Sequence, residues 1–231
     1  MADSVQNSKN KILSRCTPSL FPPSEVVTFR LGDVLLRPNQ TTSFVFFPLT
    51  MMASFVRPLA DGSTIEVGIA GAEGTIGLDA LFGAEAQPNM VTVQAAGDAI
   101  RVMASTAKVA FDGDAQFRQL VLLFANAFAI QVGQTAACNR LHPLERRLAR
   151  WLLMVDDRTN HAPIALTQEF LAQMLGTRTA GVNEAISTLT ASGLIGHRRQ
   201  LIEIIDRRGL EAESCECYAV VKTLYGRDHV M

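Results

Sequence analysis

The sequence LTQEFLAQMLGTRTAGVNEAISTLTASGLIGHRRQLIEII, residues 166–205, decides the fold of the C-terminal third of the chain. Thr167 is placed to cap a short helix, and Gly176 supplies a tight turn after it. Thr177 is then expected to cap a second helix, which ends at Gly193. Two short apolar runs follow and flank a basic tip, as in a β-hairpin. Helix, turn, helix and hairpin together predict a winged helix-turn-helix.

This motif places the start of its second helix in the major groove of DNA. Arg binds guanine through two hydrogen bonds, Asn suits adenine, and Glu accepts a hydrogen bond from cytosine. The basic hairpin and the start of the first helix would hold phosphates. The side chains expected to contact DNA are Thr167, Gln168, Thr177, Arg178, Thr179, Ala180, Asn183, Glu184, His197, Arg198 and Arg199.

Short strands and turns fill the chain from about residue 25 to residue 110. The run Ser43–Phe47 is rich in β-branched and aromatic residues and stops at Pro48. Asp61 and Gly62 lie between two further apolar runs and give the strongest local hairpin signal. Several short strands with a turn about every ten residues predict a β-barrel or β-sandwich.

A long helix is predicted from Asp114 to Arg140, where the sequence has no proline and only one glycine. A stripe of residues in this segment follows alternating three- and four-residue steps, and a second apolar stripe runs beside it. A helix with two such faces needs two partners, the β-domain of its own chain and a twin helix. The alternative is a helix wholly buried in one domain. The residues expected at a dimer interface are Phe117, Leu120, Phe124, Ala127 and Gln131.

The formal net charge of −1 does not by itself indicate nucleic-acid binding. The balance shifts along the chain, from 9 Lys/Arg and 11 Asp/Glu in residues 1–139 to 12 and 11 in residues 140–231. The N-terminus has no apolar signal core, and no uninterrupted apolar run approaches the ~18 residues of a membrane span. We therefore expect a cytoplasmic protein with no membrane partner.

The four cysteines are scattered apart from one Cys-Glu-Cys, and the two closely spaced pairs typical of a structural zinc site are missing. Reduced cytosolic thiols are the expected state, so no metal site is predicted, with a metal or redox site as the alternative. No set of residues has the arrangement of a nucleophile with a base, a paired-carboxylate cleft or a phosphate-binding loop. No catalytic residue and no enzymatic activity are expected.

The chain resembles the Crp/Fnr family of transcription regulators from end to end. The most specific stretches are CNRLHPLERRLARWLL, residues 138–153, and LTQEFLAQMLGTRTAGV, residues 166–182. The resemblance implies an α+β fold with an N-terminal double-stranded β-helix, or β-roll, as a cyclic-nucleotide-binding-like sensor over residues 1–113. A dimerisation helix over 114–139 and a winged helix-turn-helix over 140–231 would follow. It also implies a homodimer, a palindromic DNA site and RNA polymerase as a further partner.

The effector of the β-roll is unknown from the sequence. Family members that bind cyclic nucleotides use a Gly-Glu pair for the ribose and an Arg followed by Ser or Thr for the phosphate. Here Asn and Met occupy that second position, and no basic residue lies between Arg57 and Arg101. A buried phosphate would lose a charge-assisted bond worth ~1.5–3 kcal/mol, so neither cyclic AMP nor cyclic GMP is expected. The corresponding pocket residues are Gly71, Glu73, Gly74, Asn89 and Met90.

The residues also bear on other cofactors and functions. An N-terminal iron–sulfur cluster is not expected, because that region offers only Cys16 and a cubane cluster normally takes four ligands. The effector could still be a hydrophobic or neutral molecule, or the β-roll could bind none.

The alternative function is a ligand-binding or protein-interaction module whose winged helix contacts protein rather than DNA. The basic hairpin tip favours DNA.

Overall fold

The computed structural model describes residues 9–17, 20–21, 25–159 and 161–226. The described chain forms two compact units. The N-terminal unit lies within Met1–Arg57, Gly68–Ala129 and Tyr225–Met231, and the C-terminal unit comprises Pro58–Val67 and Ile130–Leu224.

Antiparallel strands build the N-terminal part of the chain, as predicted. The strands are β1 (Glu25–Phe29), β2 (Val34–Leu36), β3 (Phe44–Pro48), β4 (Met52–Pro58), β5 (Thr64–Ala70), β6 (Met90–Ala95) and β7 (Gly97–Met103). One sheet has the order β1-β7-β3 and the other the order β2-β6-β4-β5. The pairings are antiparallel, and most of them join strands that are far apart in sequence, such as β1 with β7 and β4 with β6. Strands β4 and β5 are the consecutive neighbours, and Gly62 in the turn between them has a φ of 84°, which suits glycine.

The pairing of β3 with β7 shows how the apolar runs form the core. Val45 lies opposite Val102 and Phe47 opposite Ile100, and all four side chains are buried. The helices of this part of the chain are α1 (Leu78–Phe82), α2 (Ala104–Gly113) and α3 (Ala115–Leu141), with a 3-10 turn at Leu13–Arg15.

Helix α2 was not predicted from the sequence. Asp114 separates it from α3, and the Asp114 carboxylate accepts a hydrogen bond from the backbone N–H of Phe117 at 2.7 Å. This acidic cap at the start of α3 satisfies one of the N–H groups that a helix leaves without an intrahelical partner. The long helix therefore begins one residue later than the sequence predicted.

The predicted dimer-interface residues lie on the face of α3 that their own chain covers. Phe117 packs against Phe21 and Phe47, with ring centroids 5.4 and 6.0 Å away, and the Phe124 ring lies against Gly74. Their own chain therefore covers these side chains and leaves little surface for a twin helix. The five predicted residues, Phe117, Leu120, Phe124, Ala127 and Gln131, are 0–7% exposed.

A different stripe of α3 is exposed. It contains one large apolar side chain, Leu122, followed by smaller residues, and its members are again separated by alternating steps of four and three. These residues are Leu122, Asn126, Ala129, Gly133 and Ala136. We call this set the α3 outer stripe.

Among the described residues, only α3 is long and apolar enough to cross a membrane by length and composition. A count of uninterrupted apolar runs misses this property, because Asn126 and Gln131 interrupt the run. Phe117 and Phe124 of α3 are buried, as are Gln131 and Thr135, whereas Leu122 and Ile130 are exposed. One third of the apolar window is buried, and a single helix of this kind is weak evidence for a membrane span.

The C-terminal part of the chain contains the predicted winged helix-turn-helix. Its elements are α4 (Leu144–Thr159), β8 (Ile164–Ala165), α5 (Gln168–Met174), α6 (Thr179–Ala191), β9 (Ile195–Arg198), β10 (Leu201–Ile204), α7 (Arg207–Glu213) and α8 (Glu216–Gly226). The sheet has the order β8-β10-β9. Trp151 and Leu152 of α4 are buried, as are Val182 and Ile186 of α6. The predicted α+β fold is confirmed.

The contact between Gly74 and Phe124 yields a stability prediction. In Gly74→Ala the added methyl group would overlap the Phe124 ring, so unfolding by urea should become easier by ~1–3 kcal/mol, as for other overpacked cores. Gly113→Ala is the matched control, because a Cβ there meets no described atom within 4 Å. Equal stability of the two variants would show that α3 does not pack on this loop.

Candidate nucleic-acid interface

The turn of the helix-turn-helix is built as the sequence predicted. The Thr167 hydroxyl accepts a hydrogen bond from the backbone N–H of Phe170 at 3.1 Å and so caps α5. Gly176 has a φ of 58°, a conformation that favours glycine. The backbone N–H of Thr177 then donates to the carbonyl of Ala172 at 2.9 Å and closes the turn.

The cap of α6 differs from the prediction. Arg178, not Thr177, occupies the N-cap position, because its backbone is extended and the first helical residue is Thr179. No side chain of the described residues makes a cap hydrogen bond there. The side chain of Arg178 is exposed instead of folding back on its own helix. The first N–H groups of α6 are therefore available to an external acceptor.

The two faces of α6 are separated as the sequence predicted. Val182, Ile186 and Leu189 are buried against the rest of the unit. The opposite face exposes the side chains expected to contact bases, while Thr179 is half-buried. The exposed residues are Arg178, Ala180, Asn183 and Glu184.

A basic tip closes the hairpin that follows α6, which is the wing of the motif. Strands β9 and β10 pair from Ile195 opposite Ile204 to Arg198 opposite Leu201, so Arg199 lies in the turn. Arg198 and Arg199 are exposed, and His197 is half-buried. The wing therefore presents two guanidinium groups to solvent.

A β-hairpin lies beside the start of α6 within the C-terminal unit. Ile65 packs against Gly176 so closely that a Cβ on this glycine would collide with it. The hairpin and the helix-turn-helix together line a cavity of about 1060 Å³, with Leu59 on one side and Arg178 and Ala180 on the other. The Trp151 indole N–H anchors the hairpin through a 2.8 Å hydrogen bond to Glu66.

The buried Arg147 connects α4 to the helix-turn-helix. Arg147 of α4 donates a hydrogen bond to the backbone carbonyl of Leu175, at the end of α5. A cation at a helix C-terminus is favoured by the helix dipole. Burial lowers the pKa of Arg147 below its ordinary value. Arg147 and Arg150 of α4 are both buried.

The predicted effector loop is covered by its own chain. Gly74 donates a backbone hydrogen bond to Gly71 at 3.1 Å, which forms a tight turn, and Glu73 beside it is buried. The buried Asn10 amide donates to the carbonyl of Gly74 at 2.8 Å, and the backbone N–H of Lys11 donates to Ala72 at 2.8 Å. The segment around Asn10 thus satisfies carbonyls of this loop.

Asn89 and Met90 lie at the start of β6 and are half-buried. The backbone N–H of Asn89 donates to the Gln87 side chain at 2.7 Å. The side-chain oxygen of Asn89 is buried, and no described residue donates a hydrogen bond to it. This position therefore offers a neutral hydrogen-bond acceptor.

One cluster of polar side chains was not predicted. The cysteines are scattered in sequence, but the structure brings Cys138, Cys215 and Cys217 together with His142. The four-residue step from Cys138 to His142 was the available signal, because it places both side chains on one face of a helix. Cys16 stands apart, and burial raises the pKa of its thiol to about 11.

Comparison with known proteins supports this architecture. Residues 146–213 match the Crp-like helix-turn-helix domain. No curated protein matches the chain significantly.

Three solved structures share its fold. FixK2 from Bradyrhizobium japonicum is 16% identical, with 84% of this chain and 98% of FixK2 aligned and a TM-score of 0.71. TTHA1359, a CRP/FNR-family regulator from Thermus thermophilus, is 20% identical, with 82% of this chain and 98% of TTHA1359 aligned and a TM-score of 0.69. TTHB099, a CRP-family regulator from the same organism, is 17% identical, with 81% of this chain and 96% of TTHB099 aligned and a TM-score of 0.69.

The resemblance predicted from the sequence is thereby confirmed: the chain carries a Crp-like helix-turn-helix domain on the fold of the Crp/Fnr transcription regulators.

Proposed function

We propose that the chain is a DNA-binding transcription regulator that works as a cytoplasmic homodimer on roughly palindromic duplex sites. The observation that carries this proposal is the exposed outer face of α6 together with the two exposed arginines of the wing. Such an arrangement supplies base contacts and phosphate contacts from one motif. RNA polymerase is the expected further partner, and no enzymatic activity or membrane partner is proposed.

Each of the side chains expected to contact DNA has a role in this proposal. Arg178 would read guanine, Asn183 adenine and Glu184 cytosine in the major groove. The side chain of Ala180 is only a methyl group, so base contacts through this helix are few. The phosphate and backbone contacts would come from Thr167, Gln168, Thr177, Thr179, His197, Arg198 and Arg199.

Removing the wing charges tests the phosphate contacts. Replacing Arg198 and Arg199 together by Ala should weaken binding to DNA from the protein's own upstream region. The slope of log K against log salt should flatten by ~0.9 for each phosphate that is no longer neutralised, so by ~1.8 in all. Binding is measured by fluorescence anisotropy at several salt concentrations.

The control is the double replacement of Arg30 and Arg37, two exposed arginines of the N-terminal unit, which removes the same charge. Its salt slope should match that of the unmodified protein. An unchanged slope in the wing variant would contradict the phosphate assignment. It would favour the alternative, a module whose winged helix contacts protein.

The α3 outer stripe replaces the dimer interface predicted from the sequence. Its alternating spacing is that of a coiled-coil seam, in which side chains of two helices interdigitate. Ala129, Gly133 and Ala136 are small, so two helices could approach closely along this part, and Leu122 adds apolar area. We therefore assign this face to the second copy of the chain.

A charge on the stripe should separate the dimer. Leu122 is 45% exposed, so Leu122→Glu should leave the fold intact and shift the mass measured by light scattering from dimer to monomer. Val109→Glu is the control, since Val109 is an exposed apolar residue of α2, 73% exposed, outside the stripe. A Leu122→Glu protein that stays fully dimeric would contradict this interface.

The effector we propose is neutral and not a cyclic nucleotide. No basic residue lies between Arg57 and Arg101, and the buried oxygen of Asn89 would accept a hydrogen bond from an uncharged donor. The loop from Gly71 to Gly74 is already hydrogen-bonded to the segment around Asn10.

Cyclic AMP should therefore leave DNA binding unchanged, because the loop lacks the cation that a cyclic phosphate needs. The same anisotropy titration, with and without the nucleotide, measures this. DNA binding that strengthens only when cyclic AMP is present would contradict the assignment of a neutral effector.

A further inference from the structure

Three thiols and one imidazole meet in the C-terminal unit. The Sγ atoms of Cys138, Cys215 and Cys217 and one ring nitrogen of His142 all lie within 4.8 Å of one another. The Cys138 and Cys215 sulfurs are 3.5 Å apart, and the Cys217 sulfur is 3.4 Å from Nδ1 of His142. All three cysteines are buried and carry free thiols.

These separations fit a single tetrahedral metal ion. Zinc lies ~2.3 Å from a thiolate sulfur and ~2.0–2.1 Å from a His nitrogen, so the edges of its tetrahedron are roughly 3.8 Å between two sulfurs and roughly 3.5 Å between sulfur and nitrogen. The observed distances are near these values. A cubane iron–sulfur cluster binds each ligand to a different iron and needs a wider cage.

The backbone prearranges the ligands in two pairs. The N–H of His142 donates to the carbonyl of Cys138 at 3.1 Å, so the helical turn continues past the end of α3 and holds both side chains on one face. Cys215 immediately precedes α8, and Cys217 lies in its first turn. The positive end of a helix dipole favours thiolates there.

Outer groups orient the ligands as in known metal sites. Nε2 of His142 lies 3.3 Å from the Glu216 carboxylate, which leaves Nδ1 facing the sulfurs. Metal-bound histidines usually donate their other ring N–H to such a carboxylate. The Gln134 amide donates to the Cys217 sulfur at 3.0 Å.

The surroundings also suit the charge of such a site. Three thiolates and one dication leave a net negative charge. Arg150 of α4 is buried and reaches Thr135, one turn before Cys138 on α3, at 3.4 Å. A buried cation is costly without an anionic partner. Thiolates held by a metal would supply one.

We propose that Cys138, His142, Cys215 and Cys217 bind one zinc ion that fixes α8 to the junction of α3 and α4. Both ligand pairs lie outside residues 146–213, on either side of the Crp-like domain. The donor set is soft and closed, which suits structural Zn²⁺ rather than Mg²⁺ or Ca²⁺. Binding would displace three thiol protons to solvent.

The contacts of α7 and α8 with α4 already hold much of this geometry. Arg207 pairs with Asp156 and Asp157 of α4, and it donates to the Tyr218 hydroxyl at 2.8 Å. Zinc would add a connection at the other end of α4, near residue 142. Metal removal should therefore loosen α8 without unfolding the whole unit.

The test is the metal content of the full-length protein purified under reducing conditions. Elemental mass spectrometry should find about one zinc ion per chain. After chelation, added Co²⁺ should give the visible bands of a tetrahedral thiolate site. Iodoacetamide labelling of Cys138, Cys215 and Cys217, located by peptide mass spectrometry, should appear only after chelation.

Variants assign the ligands. Cys217→Ser and His142→Ala should each lower the zinc content well below one per chain, with circular dichroism reporting whether they fold. Cys16→Ser is the matched control, because this cysteine lies outside the cluster, and it should keep its zinc. Neither the zinc content nor the circular dichroism depends on DNA binding. A failure of the zinc proposal can therefore be distinguished from a failure of the proposed DNA-binding function.

Three results would overturn the proposal. The first is unmodified protein with no stoichiometric zinc and no Co²⁺ spectrum. The second is a Cys138–Cys215 disulfide in place of metal in protein purified under the same reducing conditions. The third is iron as the bound metal, which would contradict the choice of zinc.

Discussion

The packing of α3 against the β-roll of its own chain is the contact that constrains most other features of the molecule. Phe117 and Phe124 fill the space between the helix and the strands, and position 74 must be glycine for the Phe124 ring to come so close. Because this face is fully used, the rotation of α3 about its axis is fixed. The rotation in turn decides which residues of α3 remain exposed, and the α3 outer stripe is among them.

The same helix ends beside the proposed zinc ligands. Its last turn carries Cys138, and the next helical step carries His142. Helix α4 begins two residues later, and its Arg147 holds the end of α5. A metal ion at this junction would therefore stiffen the short segment that joins α3 to the first helix of the DNA-binding motif.

Much of the architecture could be predicted from the sequence, because local chemistry specifies it. The β-strands follow from β-branched residues between turns, and the recognition motif follows from Thr167, Gly176 and Gly193, which need particular backbone conformations. The buried face of α6 follows from apolar spacing. The cap of α6 was misplaced by one residue, since both Thr177 and Arg178 precede the helix and only the backbone distinguishes them.

The parts that could not be predicted depend on tertiary packing. Two stripes of α3 have the same three-and-four spacing, and the more apolar one was assigned to the dimer although it belongs to the core of the chain. The thiol cluster unites Cys138 with Cys215 across 77 positions, a separation over which spacing carries no signal. Arg147 and Arg150 resemble surface residues in the sequence, because burial of an arginine depends on partners that the fold supplies.

The proposal that two copies of the chain read duplex DNA with α6 and the wing is tested most directly by selecting binding sites for the full-length protein from a library of random duplexes. We expect an enriched motif of two inverted half-sites with centres ~34–36 Å apart, one helical turn. No enriched motif, or a single half-site without its inverted repeat, would contradict the proposal.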